Sequence, residues 1–118
     1  MKIFAAALLI TLAQPAFAEA PQVVAAEAQR DSMGWHIAVT LSHGDTGWDH
    51  YADGWEVTDE DGKRLALREL AHPHVHEQPF TRSLSKAMLP DGTRVVFIRA
   101  KCSIQGWSGT PYRLELQP

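Results

Sequence analysis

The sequence predicts an all-β protein: an immunoglobulin-like Greek-key β-sandwich of about seven strands, following a cleaved signal peptide. Three observations predict it. Residues 33–43 alternate, with Trp35, Ile37, Val39 and Leu41 on one side and His36, Ala38, Thr40 and Ser42 on the other, which is the pattern of a half-buried strand. Tight-turn signals recur at the short spacing of sandwich strands, at Asp59-Glu60-Asp61-Gly62 and Pro90-Asp91-Gly92-Thr93. No helical 3.6-residue period appears beyond the N-terminal segment.

The elements follow in order. Lys2 supplies a positive charge, Ile3–Ala13 is apolar but too short to span a bilayer, and Gln14-Pro15 breaks it. Ala16-Phe17-Ala18 then fits the small-x-small rule of a signal-peptide cut after Ala18, leaving a β-sandwich domain over 19–118. Ala18-Glu19-Ala20 offers a second cut after Ala20. No cysteine stands at either cut, so a lipid anchor is not expected, and the protein is expected to be periplasmic or secreted. Strands are expected over 22–30, 34–42, 54–59, 63–70, 80–89, 94–102 and 112–117. The first is the weakest, because alanine favours strands poorly. Gly62 closes its turn at positive φ, and Pro90 pre-sets the corner of the next. The cysteine pair of antibody domains is absent, so the likeness is to the architecture alone.

Composition narrows the function. The 118 residues are 45% apolar and 21% charged, with 11 basic and 14 acidic side chains and a net charge of −3. Loss of Lys2 with the signal segment takes the charge from −3 to −4. No basic stripe exists, which argues against nucleic acid as a partner. No long apolar run follows the N-terminus, which argues against a membrane-spanning helix. Cys102 is alone, so no intramolecular disulfide forms. It continues the apolar side of Val96, Ile98 and Ala100, and reads as a small buried hydrophobe.

Chain direction makes the two ends of the sandwich unequal. One pole receives only the two tight turns. The other receives three longer connections, over 43–53, 71–79 and 103–111. These carry five of the six histidines, His43, His50, His72, His74 and His76, together with Asp45, Asp49, Asp53, Glu77, Trp48, Tyr51 and Trp107. Binding residues commonly sit on loops held by a rigid scaffold.

Within that pole, His72-Pro73-His74-Val75-His76 is the most pointed string. In an extended segment i, i+2 and i+4 share a side, so three imidazoles there would hold a divalent transition metal, Zn or Cu, with help from His43 or His50. The competing reading makes these loop histidines that cap carbonyls or pack on tryptophans. Asp45, Asp49 and Asp53 are spaced four apart, which does not fit a calcium loop. Arg82 reads either as a clamp for an acidic ligand or as a partner of Asp49, Asp53 or Glu77 that ties the loops together. No serine stands in a nucleophile-elbow context, so no catalytic residue is assigned. A copper electron-transfer centre would want a histidine and a methionine shortly after Cys102; Ser103-Ile104-Gln105-Gly106 supplies neither.

Gly47-Trp-Asp-His-Tyr-Ala-Asp-Gly-Trp55 and His72-Pro-His-Val-His-Glu-Gln-Pro-Phe-Thr-Arg-Ser83 resemble the two signature stretches of a family of small exported bacterial proteins to which no activity is assigned. The resemblance runs from Trp35 to Leu116 and implies an exported single domain. The expected function is thus an exported binding module that takes a metal at its histidine-rich pole. The alternative is a structural or interaction domain of the cell envelope, with Trp48, Tyr51 and Trp107 contacting a protein partner.

Overall fold

The computed structural model describes residues 20–117; the expected signal peptide over 1–18 lies outside the described residues. Strands follow one another as β1 (Gln22–Asp31), β2 (Gly34–Ser42), β3 (Ala52–Thr58), β4 (Arg64–Glu69), β5 (Phe80–Ala87), β6 (Val95–Cys102), β7 (Gly106–Trp107) and β8 (Tyr112–Glu115). The seven expected strands are all present, with ends shifted by at most two residues, and β7 is an eighth.

All pairings are antiparallel. One sheet has the order β1-β2-β5 and the other β4-β3-β6, with β7 and β8 both pairing β6. The two sheets form a β-sandwich in which β2 and β5 belong to one sheet and the intervening β3 and β4 to the other, as in immunoglobulin-type architectures. β7 covers one end of β6 through Lys101 and Cys102, and β8 the other end through Val95 to Ile98. Pro111, which has no N–H to give a ladder, lies between the two pieces.

The core follows from the alternation. Trp35, Ile37, Val39 and Leu41 of β2 face Trp55 and Val57 of β3 and Val96, Ile98 and Ala100 of β6, all buried. Trp55 is fully sealed; enclosing an aromatic of this size contributes roughly 2–3 kcal/mol. β1 and β4 have no fully buried residue, as expected of edge strands.

The turns that set the chain direction are locally specified. Asp59 Oδ1 accepts the N–H groups of Asp61 and Lys63, both at 2.9 Å, an Asx-type closure. Gly62 and Gly92 stand at φ 82° and 86°, which side-chain-bearing residues rarely adopt. With these two turns at one pole, the connections 43–51, 70–79 and 103–105 meet at the other. Ser103 N–H donates to the Tyr51 carbonyl at 2.9 Å, and Asp45 bonds the 70–79 segment directly.

The outer face of the larger sheet carries a second polar structure. Glu56 points outward from β3, yet it is buried beneath Arg64, at 2.7 Å, and Arg99, at 2.6 Å. Burial raises its carboxyl pKa, but the hydrogen bonds from Arg99 and Arg64 outweigh this and hold it below the usual carboxylate range. Trp107 completes the lid, with Arg64, Arg99 and Lys101 all within 6 Å of its ring.

Candidate metal centre

Three strand ends converge at the loop-bearing pole. His43 immediately follows β2, His50 lies shortly before β3, and Cys102 is the last residue of β6. His43 continues the inward parity of Ile37, Val39 and Leu41, and Cys102 that of Ile98 and Ala100, and both are buried. One donor atom from each of His43, His50 and Cys102 lies within 4.8 Å of the others. The two imidazoles meet edge to face with centroids 4.7 Å apart. His43 and Cys102 are buried and His50 is half-buried.

Asp45 organises this cluster. Its Oδ1 accepts His43 Nδ1–H at 2.5 Å and the Ala52 N–H at 3.0 Å, while its Oδ2 accepts the His74 N–H at 2.8 Å. Burial works to raise the Asp45 pKa; the bonds from His43, His74 and Ala52 overcome it, and the carboxyl sits below its ordinary value. Asp45 orients the His43 ring through Nδ1, and His43 Nε2 is buried and without a partner. His50 Nε2 is likewise buried and unpartnered. Buried polar atoms are normally satisfied, so two orphaned imidazole nitrogens beside a thiol need an account. On the other side of the sulfur, the Gln105 N–H donates to Cys102 Sγ at 3.2 Å. Gly106, at φ 73°, turns the chain back so that it pairs with Cys102.

The expected trio His72, His74 and His76 does not gather as a three-donor group, although the His72 and His74 rings lie 4.6 Å apart. Residues 71–79 run as bends rather than as a strand, so the i, i+2, i+4 rule, which needs a pleated backbone, does not apply. His72 and His76 are exposed, and His72 Nδ1 lies 3.1 Å from the Pro73 carbonyl. His74 is buried, stacked on Phe80 with centroids 3.9 Å apart, and its Nε2 accepts from Arg82 at 2.8 Å. Burial, and then the Arg82 charge, hold its pKa below the ordinary histidine value. His43 and His50 therefore join Cys102 and not the 72–76 trio.

The other predicted residues separate. Arg82 bonds Glu77 at 3.2 Å, an internal pair. Lys101 reaches Asp53 at 3.5 Å on the outer sheet face. Asp49 is exposed. Trp48 and Tyr51 pack edge to face at 5.7 Å, with Trp48 68% exposed. Trp107 does not join them: β7 pairs it with Lys101 and lays it on the sheet under three cations. The expected Trp48–Tyr51–Trp107 face is thus two separate places.

Cys102 is the residue whose chemistry the sequence reading missed. Its burial is as expected, but its sulfur faces two imidazoles rather than the hydrocarbon core. A signal was present in the shared inward parity of His43 and Cys102 at the same pole.

No family model matches the chain, and no solved structure matches it. A protein of Halomicrobium mukohataei carrying the name "Putative lipoprotein" is 44% identical over 73 residues, covering 62% of this chain and 35% of that protein. The chain thus spans about a third of the length of that relative.

Proposed function

We propose that this is an exported cell-envelope protein that binds a transition-metal ion through His43, His50 and Cys102. The observation that carries the reading is that one donor atom from each of His43, His50 and Cys102 lies within 4.8 Å of the others, while Nε2 of both histidines is buried and unpartnered. Bonds of about 2.0–2.3 Å at tetrahedral or trigonal angles place such donors roughly 3.3–4 Å apart, so donors within 4.8 Å of one another would draw in by up to about 1 Å on binding. Asp45 supports it as the carboxylate that orients a ligating histidine. The name of the Halomicrobium relative and the signal-like N-terminus support the envelope location.

Asp45, His43 and Cys102 also have the order of an orienter, base and nucleophile. Burial speaks against that reading: Cys102 is only 2% exposed, and a nucleophile has to meet its substrate.

The test is elemental analysis of the untagged, exported protein, followed by calorimetric titration with Zn²⁺ and Cu²⁺. Near-stoichiometric metal, lost in Cys102→Ser, is the expected result. No retained metal and no binding at micromolar concentration would overturn the proposal.

A further inference from the structure

We infer that the ion is copper, held by His43 Nε2, His50 Nε2 and Cys102 Sγ as a three-coordinate centre that exchanges one electron. This rests on the metal-binding reading and adds the identity of the metal and its chemistry.

The first support is the number of donors. Among the described residues, the group assembled for a metal has three members. Neighbouring groups that would make a fourth are committed elsewhere: Asp45 to His43 and two backbone N–H groups, and His74 to Arg82 through Nε2, which accepts and so leaves the ring proton on the buried, unpartnered Nδ1. Met33 and Met88 are 59% and 76% exposed. Structural zinc takes four protein ligands, and catalytic zinc takes three and keeps an open position for water. Here neither condition fits, because both Nε2 atoms are sealed from solvent and Cys102 is 2% exposed. Two imidazoles and a thiolate are the donor set of electron-transfer copper; here both histidines come from the 43–50 connection instead of from the residues after Cys102, and neither described methionine is placed as an axial ligand. A sealed centre obstructs substrates but not electrons.

The second support is charge. A metal-bound Cys102 thiolate brings a negative charge to a buried place, and the cation offsets it. Reduction adds one electron to the metal, giving Cu(I), with no bond made or broken and no proton moved. The electron comes from a reduced one-electron redox protein of the envelope, and passes to an oxidised one when Cu(I) returns to Cu(II).

The third support is the surroundings of the donors. The Gln105 N–H on Cys102 Sγ is the kind of hydrogen bond that tunes the potential of a copper thiolate. The donors stand at the ends of strands from both sheets, so the framework holds them in place in either oxidation state. His50 is the half-buried ligand, which makes its ring the short route between metal and surface.

Affinity alone does not test this, since copper outranks zinc at most nitrogen and sulfur sites. The test is spectroscopic. Metal-free full-length protein, kept reduced and then freed of reductant, is titrated with CuSO₄. The expected result is one copper per chain with an intense visible thiolate-to-copper absorption. Ascorbate bleaches it by supplying one electron per copper, and ferricyanide restores it. The colour is absent in Cys102→Ser and in His50→Gln, each checked for native circular dichroism, and is retained in His72→Ala. Colourless copper, or reduction of Cu(II) with disulfide-linked dimers through Cys102, would overturn the inference. Stoichiometric zinc with no coloured copper form would overturn it while leaving the metal-binding reading intact. Failure to bind either metal would overturn both.

Discussion

The loop-bearing pole holds two histidine clusters built in opposite ways. His43 and His50 stand at strand ends, with their Nε2 atoms buried and free, beside the Cys102 sulfur. His72, His74 and His76 lie within one short segment, but two face water and the third has its Nε2 bonded to Arg82. The first cluster is scattered in sequence, gathered in space and includes a thiol; the second is contiguous in sequence, and its His72 and His74 rings also meet, 4.6 Å apart, but His72 and His76 stand exposed and no thiol joins them. A metal site depends on donors that are both convergent and unoccupied, and spacing along the chain secures neither unless the backbone between the donors is regular. Asp45 joins the clusters, since one oxygen orients His43 and the other holds the His74 backbone.

The largest effect should come from removing one cluster at a time. Cys102→Ser or His43→Ala should weaken Zn²⁺ or Cu²⁺ binding by more than about a hundredfold, because a three-donor site that loses one donor keeps little chelation. His72→Ala and His76→Ala, alone or together, should change the dissociation constant less than about twofold. Calorimetry on these variants is the measurement. A strong loss in the His72 and His76 variants would reverse the comparison drawn above.

Asp45→Asn should act on both clusters. The amide keeps one acceptor, but its NH₂ group must face a donor: the His74 N–H, or the pair from His43 and Ala52. Charged, buried hydrogen bonds of this kind are worth about 1.5–3 kcal/mol each, so urea denaturation should show a loss of roughly 2–4 kcal/mol in the metal-free protein. Metal affinity should fall by about 10–100-fold, as for other carboxylates behind a ligating histidine. A variant that loses stability but binds metal unchanged would detach Asp45 from the site and leave it a loop tie.

Glu56→Gln provides a contrast from the outer face of the sheet. Its partners Arg64 and Arg99 are 48% and 36% exposed, so solvent screens the pair. A cost of about 1 kcal/mol is expected by the same denaturation measurement, with no change in metal affinity. A larger loss of affinity would mean that the outer face and the pole are coupled.

Much of this arrangement was legible in the residues. The alternation around Ile37 and that around Ile98 assign the strands and their inward faces, because side-chain direction in a pleated strand has a fixed period of two. The turns at Gly62 and Gly92 carry the chain direction, and with it the pole at which the long connections gather. The position of Trp107 was not legible, since a two-residue strand has too little pattern to announce itself. The partners of Cys102 were hidden for another reason. Burial is written in the alternation, but what a buried atom faces at the end of a strand depends on loops more than fifty residues away in sequence.

The smallest expected effect concerns His74, and it asks whether the second cluster is architecture alone. Its folded-state pKa lies below the ordinary histidine value of about 6.5 because of burial and the nearby Arg82 charge. The unfolded chain therefore takes up a proton at higher pH than the folded one. The stability this contributes is fully present above about pH 6.5, is lost as pH falls through that value, and levels off below the depressed folded pKa. The slope cannot exceed one proton, about 1.4 kcal/mol per pH unit. In chelator-treated protein, urea denaturation at a series of pH values should show this decline. His74→Phe, which keeps the stacking on Phe80 and removes the titrating nitrogen, should flatten it. His76→Ala, at an exposed position, should leave it unchanged. A decline that survives in His74→Phe would assign the proton to another group and free His74 from the structural role that its contacts with Phe80 and Arg82 describe.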